Sequence, residues 1–484
     1  MSITGALSNA MQGLQAAGRG SEVIAANISN ALTPGYGMRI LELSSNASST
    51  NGGVMISGVG RQMNDSLAQD KRLAEAANAN ASALHGIYTT IENIIGSPDE
   101  PTSITAQMAA LETDLITAAS RPDAPERLSA AVGSARNLAN SFVKASKTLQ
   151  EARTNADRTI GIQVDRLNSA LSQVHSLNKM ITKSQVQGNQ NHALVDQRQM
   201  LIDEISVLVP VRTVPRDNGQ VALYSSGGVI LLDSTAAEVS FDKTNTVTPY
   251  HDVDAGTLSG ITVNGYPIGT ASDNGGLSGG SIAAQFKIRD DIAVEAQGQL
   301  DALARDLIER FQDPAVDLTL GATSPGLFTD NGGAFDPADE IGIARRLSLN
   351  AAVDPKQGGE AWRLRDGLLA ASTGDVGDGA QLNRLVDALT LSRPSASGIF
   401  SGGMYSAIDL TSTITSHYAV KRDSAENTLS FNAAQVSELT ERLLGDGVDS
   451  DQELQKLMLV EQAFAANARM LQTVDELMQT VLGL

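Results

Sequence analysis

The sequence predicts a mainly α chain with a β-rich inserted domain: terminal helices that pair as a coiled coil, a long helical bundle domain and a small β domain. Three observations predict it. Apolar residues recur in alternating four- and three-residue steps at both chain ends; residues 61 to about 208 keep helical spacing; and from Val211 to about Gly280 that period gives way to short β-branched runs.

At the N-terminal end Ile3, Leu7, Ala10, Leu14, Ala17, Ser21, Ile24 and Ile28 form a seam along one helix face. Gly5, Gly13, Gly18 and Gly20 lie in the same helix. Each costs about 1 kcal/mol relative to alanine, so this helix draws its stability from packing. Glycine also lets a neighbouring backbone approach closely. The helix runs into Asn27-Ile28-Ser29-Asn30 and then Thr33-Pro34-Gly35-Tyr36. Pro34 and Gly35 turn the chain, while Asn27 and Asn30 can satisfy backbone groups freed at the helix end.

Further along, Pro122-Asp123-Ala124-Pro125-Glu126 reads as an Asp cap with proline in the first turn. The helix it opens carries Leu128, Val132, Phe142 and Leu149, then Ile160, Val164, Leu167, Leu171, Val174 and Ile181 at the same spacing. His192 to Leu208 predicts a shorter helix stopped by Pro210. In the β-rich segment Asp217-Asn218-Gly219 and Asn264-Gly265 are hairpin turns. Gly275 to Ser281 reads as a flexible exit, and Ile282 to Phe311 as helix with Leu300, Leu303, Leu307 and Phe311 on one face.

Residues 312–400 are mixed, with a short helix expected near Gln381 to Leu391 and a strand near Leu347 to Asn350. Tyr405 to Leu444 predicts a long helix burying Ile408, Tyr418, Leu429, Val436, Leu439 and Leu443. The last helix is announced by Ser450 and Glu453 as a capping box. Its seam is Leu457, Val460, Phe464, Asn467, Leu471, Val474, Met478 and Val481. The expected domains are therefore 1–45 with 446–484, 46–210 with 281–445, and 211–280.

Composition narrows the function. With 55 acidic against 35 basic residues, the formal charge of −20 opposes a phosphate backbone or an anionic membrane as principal partner. The absence of cysteine excludes disulfides, thiolate metal sites and a cysteine nucleophile. The opening residues lack the pattern of a cleaved Sec-type signal, and no apolar run approaches 18 residues, so neither a leader nor a membrane span is expected.

No constellation carries catalysis. Gly276-Leu277-Ser278-Gly279-Gly280 has the G-x-S-x-G spacing, but Thr270 to Asn274 before it could not form the buried strand a nucleophile elbow needs. His85, His175, His192, His251 and His417 are scattered without metal-ligand spacing. Asp330-Asn331-Gly332-Gly333 with Asp336, Asp339 and Glu340 misses the calcium-loop pattern and reads as turn chemistry. Asp290-Asp291 reads as a solvated helix face. No catalytic residue, cofactor or metal is expected. Apolar heptads usually make only core, yet two seams at the extreme ends of one chain, where polar tails are the norm, point to pairing between subunits.

These residues carry a resemblance. Asn27, Ile28, Ser29, Asn30, Thr33, Pro34, Gly35 and Tyr36 resemble the NIANxxTPGY pattern of flagellar axial proteins, with Ser29 in place of alanine and GMRILEL after Tyr36 in place of the usual SRQ. Gln462, Ala463, Phe464, Gln472, Thr473 and Leu477 are similar to the C-terminal pattern of the same proteins. Within that group, Leu194-Val195-Asp196-Gln197-Arg198 with Leu201, Ile205 and Ser206, and the FKIRDDI and QLDALARDLIERF stretches, resemble the FlgK family of hook-associated proteins.

The resemblance implies a structural subunit of the hook–filament junction whose β domain faces outward, exported through the flagellar type III channel without signal cleavage to an extracellular place in the flagellum. Implied partners are copies of itself in a ring, hook protein, a second hook-associated junction protein, and an export chaperone holding the last helix at Phe464 and Leu471. A hook or distal-rod subunit, a non-flagellar coiled-coil binding protein and a Ser278 hydrolase are the other readings.

Overall fold

The structure is a computed structural model that describes residues 3–45, 52–96, 100–187, 191–270 and 275–483. Backbone proximity divides the chain into two compact units. One comprises Met1–Ala77, Arg166–Glu238 and Asn432–Leu484; the other comprises Asn78–Asp165 and Val239–Phe431.

The first unit opens with α1 (Ile3–Asn30) and the antiparallel hairpin β1 (Met38–Ser45) and β2 (Val54–Gln62). It takes the first residues of α2 (Asp65–Ile95); α3 (Ile104–Ser120) belongs to the second unit. The last turns of α4 (Pro125–Val186), then α5 (His192–Leu208) and the sheet β3 (Val211–Pro215), β4 (Val221–Ser225) and β5 (Ile230–Leu232) return to the first unit.

The second unit holds β6 (Val239–Phe241), β7 (Ile261–Val263) and β8 (Tyr266–Ile268), followed by α6 (Gly280–Lys287), a π segment at Ile288–Ile292 and α7 (Ala293–Gln312). Beyond these come β9 (Phe328–Asp330), α8 (Ile343–Arg346), β10 (Leu347–Leu349), α9 (Arg363–Asp366), α10 (Ala380–Thr390), β11 (Arg393–Pro394) and β12 (Met404–Tyr405). The chain closes with α11 (Ala407–Gly445), which contributes to both units, and α12 (Ser450–Leu482) in the first.

Local signals account for most of these elements. All ten residues of the apolar string expected along α4, from Leu128 to Ile181, are buried, as are Leu300, Leu303, Leu307 and Phe311 on α7. With Ile91, Met108, Leu111, Phe328 and Tyr418, the α4 residues Leu128, Val132, Phe142 and Leu149 and the four α7 residues build the second unit's core, while Leu167, Leu171, Val174 and Ile181 lie on the stretch of α4 that belongs to the first unit. Asn218 and Gly219 take positive φ between β3 and β4, and Asn264 and Gly265 do so between β7 and β8, as tight hairpin turns require. The short helix and strand expected within 312–400 are α10 and β10. On α11 Tyr418 is fully buried, whereas Ile408, Leu429, Val436, Leu439 and Leu443 are half-buried.

Four expectations are corrected. The single β-rich segment over 211–280 is two three-stranded sheets, β3–β4–β5 in one unit and β6–β7–β8 in the other, parted between Glu238 and Val239. The uniform helix over 282–311 is broken by the π segment. There Arg289 is fully buried: Asp157 (2.6 Å) and Asp290 (2.7 Å) pair with it and its guanidinium donates to Ser259 O, so Asp290 is not a solvated charge. Arg153 beside it donates to Arg289 O, Thr248 O and His251 O. Buried charges survive only when paired and hydrogen-bonded in this way. Finally, α12 is capped by Asp449, which accepts from Asp451 N and Gln452 N, and not by Ser450.

Candidate assembly interface

The end of α1 is a polar knot buried among apolar neighbours. Asn27 is 1% exposed, and both ends of its amide are engaged. Nδ2 donates to Glu453 Oε2 (2.9 Å) and Arg39 O (2.8 Å); Oδ1 accepts from Arg39 N (2.8 Å) and the Tyr36 hydroxyl (2.9 Å). Burial raises the Tyr36 pKa, opposed by the Arg39 charge, which keeps the hydroxyl a donor. Asn30 does the local work expected of both asparagines: Nδ2 donates to Ala26 O (2.9 Å) and Oδ1 accepts from Thr33 Oγ1 (3.2 Å). Pro34 is exposed, and Gly35 adopts φ 75 where an added Cβ would lie 2.8 Å from Met200 Cγ.

A second knot follows. Asp196 on α5 accepts from Gly37 N (3.2 Å), Arg61 Nε (2.8 Å) and Arg39 Nη2. One carboxylate thereby ties the chain after the turn, both hairpin strands and α5 together. Burial, with repulsion from Arg61, lowers the nearby Arg198 pKa to about 10; Arg198 donates to Asn178 Oδ1 and Gly219 O.

Along the helices α1 faces α12 through small residues. An added Cβ at Gly13 would lie 2.6 Å from Asn467 Nδ2, and one at Gly20 would lie 3.5 Å from Val460 Cγ2. The buried face of α1 is Gly5, Ala10, Ala16, Ala17, Gly20, Val23, Ile24 and Asn27. Of the predicted seam, Ile24 is therefore buried, Leu7, Leu14 and Ile28 are half-buried, and Ile3 is exposed. The interior turns toward the glycines because close helix approach leaves no room there for leucine.

On α12 Val474 is buried, and Leu457, Val460 and Leu471 are half-buried. Phe464 and Met478 are exposed, as are Leu454, Met458, Leu459, Met470 and Leu477, which lie off the predicted seam. The side chain of Val481 lies outside the described residues. A groove of about 530 Å³ runs between α1, β1 and α12, lined by Ala16, Gly20, Ile40, Leu43, Leu459 and Val460 among others. A second cleft of about 370 Å³ lies beside the turn, against Leu32, Pro34, Met38, Leu443, Leu444 and Val448.

Arg39, Arg61, Asp196 and Glu453 were not singled out as site residues from sequence: Arg39, Asp196 and Glu453 stood inside quoted stretches for other reasons, Arg61 in none, and nothing local marks them as partners. Elsewhere, Ser278 lies in a turn after β8, which ends at Ile268, and residues 271–274 are outside the described residues. Asp330 pairs with Arg346 (2.7 Å) beside the positive-φ turn at Asn331-Gly332. Among the described residues no helix is long and apolar enough to cross a membrane.

The family model for the flagellar hook-associated protein FlgK helical domain matches residues 88–316, and that for the C-terminal part of flagellar basal body rod FlgEFG proteins matches residues 441–484. Flagellar hook-associated protein 1 of Escherichia coli is 24% identical across 99% of both chains. Its namesake in Bacillus subtilis is 25% identical over 72% of this chain and 69% of its own. The one in Salmonella typhimurium is 27% identical over 52% and 48%. The flagellar hook junction protein FlgK of Burkholderia pseudomallei aligns in three dimensions over 55% of this chain and 47% of its own, at 21% identity and a TM-score of 0.43. The helical-domain match, the rod-type C-terminal match and the end-to-end similarity fall on the same segments as the motif residues, and the chain belongs to the FlgK family of flagellar hook-associated proteins.

Proposed function

We propose that this chain is a structural subunit of the hook–filament junction and that it assembles through α1, α12 and the β1–β2 hairpin. The observation that carries the proposal is the apolar surface left uncovered on α12: Leu454, Met458, Leu459, Phe464, Met470, Leu477 and Met478 are each 40% to 66% exposed. Exposed Ile40, Leu43, Met55 and Ile56 on the hairpin enlarge it. A monomer with no partner rarely leaves so many large apolar side chains of one helix and one hairpin open to water. Copies of the chain cover this surface in a ring, and burying each large side chain at about 1.5–3 kcal/mol offsets the entropy of ordering the two ends. Hook protein and a second junction protein are the axial neighbours.

Before assembly the same face needs a cover, which an export chaperone supplies at Phe464 and Leu471 during passage through the type III channel to the external flagellum. A hook or distal-rod subunit would share the terminal helices, but the helical-domain match over 88–316 supports the junction reading. Deleting residues 449–484 tests it. Filaments and motility are expected to be lost while Ser278→Ala leaves both unchanged; filaments retained after the deletion would contradict the proposal. Detection of the chain in sheared flagella separates it from a cytoplasmic coiled-coil binder.

A further inference from the structure

The facing pairs between α1 and α12 form a ladder with one odd rung. Gly13 faces Asn467, Gly20 faces Val460, and Asn27 bonds Glu453. Each pair lies seven residues further along α1 and seven earlier along α12, so the helices run antiparallel with a heptad step. Such a ladder is degenerate. Sliding α12 by one heptad sets Gly20 against Asn467 and Gly13 against Val474, so each glycine again meets an asparagine or a valine, as in the observed register. In that register Glu453 faces Pro34, beyond the end of α1, and Asn27 faces Val460. A slide the other way sets Glu453 against Gly20, which has no side-chain donor.

We infer that the Asn27–Glu453 hydrogen bond is the register key of the terminal helix pair. Both residues are at most 2% exposed, and Lys456 (2.7 Å) holds the second Glu453 oxygen. A buried polar contact of this kind adds little to stability over an apolar pair but penalises every register that leaves it unmade. The inference concerns the chain's own helix pairing and is read on the isolated chain, apart from the assembly proposal.

The chain has no cysteine, so introduced pairs report register directly. Gly20→Cys with Val460→Cys reports the observed register, and Gly20→Cys with Asn467→Cys reports the slipped one. In the purified full-length chain, mild oxidation is expected to close the first pair and not the second. Adding Glu453→Leu should raise the ratio of slipped to observed product roughly ten- to a hundredfold, the selectivity of one buried charge-assisted hydrogen bond. Glu453→Gln, which still accepts from Asn27, should hold the observed register. An unchanged ratio in Glu453→Leu would show that apolar packing chooses the register. Loss of both products in Glu453→Leu would make Glu453 a requirement for pairing, and failure of the first pair to close in the parent would remove the antiparallel ladder. Each of these three results overturns the inference.

Discussion

Replacing Asn27 by alanine separates two asparagines that look equivalent in sequence. The substitution removes four hydrogen bonds at 2.8–2.9 Å from a site 1% exposed to solvent. It leaves the Glu453 carboxylate short of one donor, at about 1.5–3 kcal/mol for a bond to a charged group, and the Arg39 N–H short of its acceptor, at about 1–3 kcal/mol. The Tyr36 hydroxyl swings toward solvent at little cost. The expected loss is roughly 3–5 kcal/mol. Asn30→Ala removes only the bonds to Ala26 O and Thr33 Oγ1 on the exposed side of α1, and should cost about 1 kcal/mol or less. Hydrogen exchange followed by mass spectrometry on peptides from α1 resolves the two. At about 1.4 kcal/mol per tenfold, Asn27→Ala should speed exchange roughly 10²- to 4 × 10³-fold and Asn30→Ala less than about tenfold. Equal acceleration by both would refute the assignment of Asn27 as the long-range anchor.

The remaining predictions concern the second knot, two glycines and one buried acid. Asp196→Ala strands two guanidinium groups and should destabilise the first unit by about 3–5 kcal/mol in denaturant melts, with Asp196→Asn intermediate; a loss below about 1 kcal/mol would make the pair ornamental. Gly20→Ala places its methyl at an ordinary 3.5 Å from Val460 and should slow α1 exchange by up to about 1 kcal/mol through helix propensity. Gly35→Ala, forced into φ 75 and against Met200, should instead cost about 1–2 kcal/mol. Burial raises the Asp301 pKa to about 6 despite hydrogen bonds from Ala344 N, Gly342 N and Gln297. The folded chain then binds more protons than the unfolded chain between about pH 4 and 6, so this group adds stability as pH falls from 7 to 5, by about 1 kcal/mol. Fluorescence of Trp362, the chain's single tryptophan and part of the second unit, reads the unfolding. Asp301→Asn should abolish that increment; an unchanged pH dependence would refute it.

Sequence alone determined what depends on neighbours a few residues apart. The period of apolar residues marked the run of α4 and its buried stripe, Pro210 marked the stop of α5, and the Asn-Gly pairs marked two hairpins, because helical repeat and positive φ are properties of a short stretch of backbone. The terminal seams were legible as amphipathic, but their inward faces were not. Which residues of α1 turn inside depends on how closely α12 approaches, and glycine, weak by local propensity, wins there because it has no side chain. Only the tertiary structure decided that Asn27 and not Asn30 is buried, that Asp196 gathers Arg39 and Arg61, and that Glu453, expected in a capping box with Ser450, bonds Asn27 while Asp449 caps the helix. Those partners lie more than a hundred residues apart along the chain, and a hydrogen bond between distant side chains leaves no periodic trace in either segment. The parting of residues 211–280 into two sheets was equally illegible: each half is an ordinary set of short strands, and no local feature marks the step from Glu238 to Val239 as a boundary.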